Sequence, residues 1–507
     1  MTSNENLPSF KIDYREFLKG ENSYPEYPDG GFTSPEGFSD DSSTKSRVGV
    51  NLYNRVTYLS TPPSPVIVSA IIPDIEEIIG WGSGNYITDL MAIGSDASNN
   101  GYFYQVDSFD ASLTLKSTDT TRRYYYPYTD VELYKDNFYV TSLTDIAQCT
   151  TDMVTVVQNY WTGTLAQAPL FANPHPMCVR TDILYIADGR YLHQIDNVTV
   201  QLQVLDLPDG WIIDCLVIYK NFMYIGAHTA SGSSKVYAWD GISDSWNEEY
   251  EMDDYVTSLK VFQGVLYAFM PSIISYFDGT KFKDFRPIVG GGLFSSPTVT
   301  KFQSDTIWDS MLFIESTGLP QYVNWLNRYG RVIISGRTKN VFTRYISDPL
   351  PGGGLNIGSF IVTNGNILYG FGNNNSKTSP RTFLYDQGTG HGLNATGTRT
   401  IRVNLNTRVF STQVKPRKLI AHFDNVDVSA GSVIEYGWID DTGAEHPIAT
   451  PSIAGTMLDL TGKKRVSIDI NAANATREIT LYVNISKGAQ LKALECFYSG
   501  VETPVNS

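Results

Sequence analysis

The stretch from Asp214 to Tyr250 decides the reading of this chain. It runs Asp214-Cys215-Leu216-Val217-Ile218-Tyr219, a Lys220-Asn221 turn, Phe222-Met223-Tyr224-Ile225-Gly226, a polar loop, Lys235-Val236-Tyr237-Ala238-Trp239-Asp240-Gly241, and an outer segment around Trp246. An apolar strand, a tight turn, an aromatic-centred strand, a loop and a third strand closed by Asp make a four-strand phrase. A phrase of this kind returning every roughly 40 to 50 residues is the mark of a β-propeller blade.

The aromatic of the second strand returns at Tyr139, Tyr185, Tyr224, Tyr267, Phe313 and Tyr369, at spacings of 46, 39, 43, 46 and 56 residues. The closing Asp stands at Asp107, Asp196, Asp240, Asp278 and Asp386, with Asn159-Tyr160-Trp161 and Val323-Asn324-Trp325 near the places the two double-length gaps leave open. Both tallies give about seven blades between residues 50 and 410, with six as the nearest rival. A β-sandwich-rich chain with coincidental periodicity is the competing fold. A single blade is too small to bury both faces, so neighbours share their apolar sides, a wedge-shaped space that suits the 32 Tyr and 24 Phe of the chain.

The expected architecture is all-β in three parts: an extended arm over residues 1–48, a propeller over 49–410 and a β-sandwich over 411–507. The arm lacks helix and strand periodicity, and Pro and Gly interrupt every run. It reads either as a disordered tail or as an arm whose aromatics Phe17, Tyr24, Tyr27, Phe32 and Phe38 dock onto the body or a neighbouring subunit. Thr61-Pro62-Pro63-Ser64-Pro65 is a stiff linker, and 71–80 a strand or short helix before the first clear blade. Beyond Val414 the phrase stops and strands alternate cleanly, with Asp440-Asp441-Thr442-Gly443 as a hairpin turn.

A net charge of -15 without a polybasic run weighs against nucleic acid as the main partner. Cys149, Cys178, Cys215 and Cys496 lack CxxC spacing and read as reduced, partly buried thiols. No secretory signal or membrane span is legible, so folding in cytosol is expected.

Asp96, Ser98 and Asn100, with Gly101 at the sixth place and Asp107 at the twelfth, outline a calcium loop, against the plainer reading of a polar hairpin. Tyr124-Tyr125-Tyr126 and Trp246 are candidates for stacking on sugar rings, against ordinary inter-blade filling. The acidic pairs Glu248-Glu249 and Asp253-Asp254 imitate glycosidase carboxylates but read better as a solvated edge. No two of the six His stand at metal-ligand spacing, and no GxSxG elbow or sialidase box is present. Neither a catalytic centre nor a cofactor is expected.

Gly30-Gly31-Phe32 and Gly37-Phe38 leading into Gly49-Val50-Asn51-Leu52-Tyr53, followed by a degenerate propeller and a C-terminal sandwich, resemble the structural tail proteins of tailed-bacteriophage virions. That resemblance implies a non-enzymatic virion component made in host cytoplasm, part of a nozzle, tail hub or tip. Its partners would be copies of itself and other virion proteins. A receptor- or glycan-binding tail protein and a propeller glycoside hydrolase are the alternatives.

Overall fold

The computed structural model describes residues 7–13, 32–33, 45–46, 59–60, 66–70, 74–81, most of 89–287, the strands between residues 305 and 423, and residues 434–448, 465–470, 474–486 and 490–500. Two compact units are formed. One comprises Met1–Ser64, Trp325–Pro351 and Asp386–Ser507, the other Pro65–Asn324 and Gly352–Tyr385.

Seven four-stranded sheets are found among the described residues. Sheet I is Asp74–Trp81, Asp89–Ser95, Gly101–Val106 and Leu113–Asp119; sheet II is Val131–Tyr134, Asn137–Thr141, Ile146–Thr150 and Val156–Val157. Sheet III is Met177–Arg180, Ile183–Asp188, Tyr191–Asp196 and Thr199–Asp206; sheet IV is Trp211–Tyr219, Phe222–Thr229, Ser234–Trp239 and Glu248–Met252. Sheet V is Ser258–Phe262, Val265–Phe269, Ile273–Phe277 and Phe282–Pro287. Sheet VI is Asp305–Trp308, Met311–Gly318, Val323–Ile334 and Arg337–Ser347, its outer strands grouping with the first unit from Trp325 onward. Sheet VII is Asn356–Thr363, Asn366–Gly372 and Arg381–Asp386, completed by Val66–Ala70 from far upstream.

All six second-strand aromatics named from sequence lie in second strands. Sheet I escaped that tally because its second strand, Asp89-Leu90-Met91-Ala92-Ile93-Gly94-Ser95, has no aromatic. Val323-Asn324-Trp325, expected where a third strand closes, opens one instead, and Asn159-Tyr160-Trp161 is in no third strand. The third strand of sheet II is Ile146–Thr150, and Tyr160–Thr164 is a π-helical turn beyond the fourth.

Burial follows from the alternation of strand side chains. In the second strand of sheet IV, Met223, Ile225 and Ala227 enter a core shared with Tyr185, Ala187 and Leu192 of sheet III. Tyr224, on the opposite face, joins Leu259, Leu266 and Phe277 of sheet V. Sheets I and II share a core through Met91, Phe103 and Phe138, and sheets II and III through Tyr139, Trp161 and Ile186. Gly226 has no room for a side chain: a Cβ there would collide with Cys215 Sγ of the paired strand.

In sheets II, III and V the first and second strands are joined by two-residue turns at positive φ, Lys135 (+47°) with Asp136 (+61°), Thr181 (+50°) with Asp182 (+61°) and Gln263 (+51°) with Gly264 (+75°). Those values are the type I′ geometry that matches strand twist. The turns of sheets III, IV and V each receive a side chain from the end of the preceding sheet's first strand. Tyr134 Oη donates to Asp182 O (3.0 Å), Arg180 donates to Asn221 O (2.7 Å) and Asp240 O (2.6 Å), and Tyr219 Oη donates to Gly264 O (3.0 Å). The same position, read down four consecutive sheets, is Tyr, Arg, Tyr and then Phe262, which has no hydroxyl to offer. Gly241, at φ +80°, makes room for the Arg180 guanidinium.

The Asp that closes the third strand holds the next turn. Asp240 accepts N–H bonds from Ile242 (2.9 Å) and Ser243 (2.8 Å), and Asp278 from Thr280 (2.8 Å) and Lys281 (3.0 Å). Ser243 holds the Asp240 carboxyl far below the usual range, and Lys283 with the Lys281 and Thr280 N–H groups does the same at Asp278.

In the other unit, Thr400–Phe423, Ile434–Ile439, Glu445–Ile448, Arg465–Asp469, Thr476–Ser486 and Gln490–Gly500 belong to one hydrogen-bonded sheet. Thr400–Phe423 runs unbroken through residues 410 and 411. Its first half pairs with Thr476–Ser486 and its second half with Gln490–Gly500 and Arg465–Asp469, the change falling at irregularities after Asn404 and Val409. The arm contributes Ser9–Asp13 and Phe32–Thr33 to this sheet, with Lys45–Ser46 and Leu59–Ser60 besides. Of the expected docking aromatics, Phe32 is in strand, and Phe17, Tyr24, Tyr27 and Phe38 lie outside the described residues.

Removing the turn contacts tests their weight. Tyr219→Phe is expected to cost about 1 kcal/mol and Arg180→Ala, which strips two carbonyls of a charged donor, about 2–3 kcal/mol. Urea midpoints for both variants within error of the parent protein would contradict this.

Candidate binding face

The first strands of neighbouring sheets run side by side in the same sense. The Met177 N–H, at the start of one, donates to Asp130, just before the start of the preceding one (2.7 Å), while their far ends meet through Tyr134 and Asp182. All first strands of sheets II to V therefore begin on one face, where second strands end and third strands start. Several buried polar side chains of the second unit lie there, Asp119, Asp145, Asp188 and Asp214 among them.

Between sheets I and II, buried Asp119 accepts Thr121 N–H (2.8 Å), Arg122 N–H (3.1 Å) and the Tyr124 hydroxyl (2.8 Å). Asp145 accepts Thr162 Oγ1 (2.5 Å), Trp161 N–H (3.2 Å) and the Arg122 guanidinium (2.8 Å). Tyr124 is fully buried, its hydroxyl pushed up by burial and by Asp119, so it does not meet a sugar ring. Tyr125 and Tyr126 lie outside the described residues. Trp246 is half-buried with its edge on Tyr237 (5.1 Å), and so is an inter-strand packing residue as well as a surface one.

The expected calcium loop is also a turn. Asp96 Oδ1 accepts Ser98 and Asn100 N–H (2.8 and 2.9 Å) and Oδ2 accepts Asn100 Nδ2 and Tyr102 Oη (3.0 and 2.8 Å), leaving its carboxylate fully engaged. Ser98 contributes a backbone N–H to this turn, and Asn100 both its N–H and its side chain; Asp107 lies outside the described residues. Among the described residues no three His, Cys, Asp or Glu converge as a metal set.

Two histidine sites were not visible in the sequence. His175 and His193 flank buried Asp188 at 3.7 Å each, with His175 Nδ1 facing Ala187 O (3.0 Å) and His193 Nδ1 accepting Gln203 N–H (2.9 Å). Nearer solvent, Asp214 binds His228 Nδ1 (2.7 Å) through one oxygen and the Tyr255 hydroxyl (2.9 Å) through the other. A buried carboxylate that fixes an imidazole is the arrangement of a proton acceptor, yet the described residues place no nucleophile against it. The hairpin register would pair Asp214 with Ala227, and the irregularity between Ile213 and Cys215 moves it toward His228 instead. A bulge of this kind leaves no signal in the sequence.

Sequence reasoning also missed an exposed aromatic on this face. Phe171 is 55 % exposed and lies over Tyr191 (6.4 Å, 27° between planes), with Arg190 above the Tyr191 ring (4.9 Å) and Gly189 beneath Phe171. The stack continues inward through His193 to buried Trp161. Its only sequence trace is a lone aromatic in a loop.

Along the first strands, Asp130 and Glu132 both feel the charge of Lys260, three sheets further on. Asp130 is half-exposed as a residue, but its carboxyl is enclosed and pushed up to about 6 by burial, against the Met177 N–H. Glu132 is pushed up to about 8 by burial and by Asp130. A carboxyl raised above its unfolded value binds a proton on folding, so its stabilising effect is complete below about pH 4.5 and is lost as pH rises through about 8.

No family model and no curated protein matches this chain. Among solved structures, similarity is found to Raptor of Chaetomium thermophilum, with 10 % identity and a TM-score of 0.43, covering 65 % of this chain and 29 % of that one. Sqt1 of Saccharomyces cerevisiae shows 12 % identity and a TM-score of 0.33, covering 48 % of this chain and 69 % of that one.

Glu132→Gln, which keeps the acceptor for the Val179 N–H, is expected to flatten the fall in stability between pH 6 and 9 by about 1–3 kcal/mol, leaving the Asp130 slope at lower pH. Denaturation midpoints measured across that range decide it; parallel pH profiles for variant and parent would contradict the assignment.

Proposed function

We propose that this chain is a non-enzymatic building block that works in several copies, in the role of a structural component of a tailed-phage virion, with its sheets closed as a seven-bladed propeller. Closure rests on Val66–Ala70 completing sheet VII and on Asp74–Trp81 lying against Asn356–Thr363 and Asn366–Gly372. A ring sealed by a strand from the start of the chain has no free sheet edge at its seam.

The observation that carries the functional reading is the orientation of the carboxylates. Asp119, Asp145, Asp240 and Asp278 accept loop N–H groups, so their acidity stiffens the body. Rigid discs with fixed loops suit repeated placement around a symmetry axis. Electron microscopy of the purified full chain, with mass photometry, tests this: closed rings or a regular oligomer are expected. A lone monomer that turns over a glycoside would overturn it.

The Phe171 platform favours a second reading, a receptor- or glycan-binding tail protein. An exposed ring backed by a stack offers an apolar face to a sugar without ordering cost. Under that reading Phe171→Ala abolishes binding on a glycan array while the melting temperature changes by less than about 2 °C, since a half-exposed ring contributes little to the core. Binding that survives the substitution rules the platform out.

A further inference from the structure

The arm strand Ser9–Asp13 lies on the outer edge of Gln490–Gly500, antiparallel, with Ser9 opposite Phe497, Phe10 opposite Cys496 and Asp13 opposite Ala493. Ser9 Oγ donates to Glu495 Oε1 (2.9 Å), and the Tyr498 N–H reaches past the strand to Pro8 O (3.0 Å). Phe10 is the anchor: its ring lies 6.1 Å from Phe410 and 6.3 Å from Tyr498, themselves 4.8 Å apart. With the strand in place Leu494 and Cys496 are fully buried, and the edge of Gln490–Gly500 is paired along Ala493–Phe497.

We propose that this groove is also the docking site for the same strand of a second copy, so that assembled chains are linked by exchanged arms. The proposal rests on the multi-copy reading above and deepens it by naming the contact. Three observations carry it. The paired segment is short, five residues with one aromatic anchor. Its described pairing and ring contacts are with Gln490–Gly500 and Phe410, with Lys11 also within electrostatic reach of His422, and each would be identical if the strand came from a second copy, which makes exchange inexpensive. The tether is long enough. Residues 14–31 separate this strand from Phe32–Thr33, and 18 residues reach up to roughly 60 Å.

The test uses two full-length chains, one carrying Ser9→Cys and the other Phe497→Cys, at positions directly opposite in the register. Cys149, Cys178 and Cys215 are buried away from this edge, and both chains carry Cys496→Ala because exchange uncovers that thiol. Mixed during assembly and oxidised, the chains are expected to give a band of twice the chain mass on a non-reducing gel, lost on reduction and weakened at least fivefold by adding Phe10→Ala to the first chain. A single chain with both substitutions serves as the control for pairing within one copy. Absence of the mixed dimer overturns exchange. If rings are still seen by microscopy, the multi-copy reading stands without it; if no oligomer forms, both fall.

Discussion

Sheets II, III and IV of this protein are each apolar on both faces, and that constraint governs the rest. Met223 and Ile225 point one way and Tyr224 the other, so sheet IV buries its second strand only between two neighbours. A strand with both faces covered reads as a near-continuous apolar run, here Phe222-Met223-Tyr224-Ile225. Individual large side chains contribute about 1.5–3 kcal/mol each when fully buried, and none of that is available to a sheet standing alone.

Apolar faces fix which sides meet, but they slide easily along one another. Register between sheets comes from polar contacts at the two ends of the first strands. At one end Tyr134, Arg180 and Tyr219 reach the next sheet's turn; at the other, Asp130 accepts the next sheet's first N–H. The polar groups thus do for orientation what the aromatics do for cohesion. The same economy explains why so acidic a chain shows few free carboxylates on its described loops: Asp96, Asp119 and Asp145 each close a turn.

Much of this was legible. The alternation around Tyr139, Tyr185, Tyr224 and Tyr267 marks second strands because burial on both faces demands large side chains there, and Asp-Gly at Asp240 and Asp278 marks turns because an Asx bond and a positive φ are needed together. Other features depend on distance in sequence. Val66–Ala70 completes a sheet whose other strands begin at Asn356, and Ser9 pairs with Phe497; neither segment carries its partner's address. The sites were the least legible part. Tyr124 looks like a binding aromatic until the Asp119 contact buries it, and His228 meets Asp214 only because of a bulge.

Native-state hydrogen exchange on the second strands of sheets II to V tests the central claim most directly. If neighbouring sheets hold each other in place, amides in Asn137–Thr141, Ile183–Asp188, Phe222–Thr229 and Val265–Phe269 open in one shared transition, with a common free energy and a common response to Arg180→Ala. Four separate opening energies, with the effect of Arg180→Ala confined to sheet III, would contradict it.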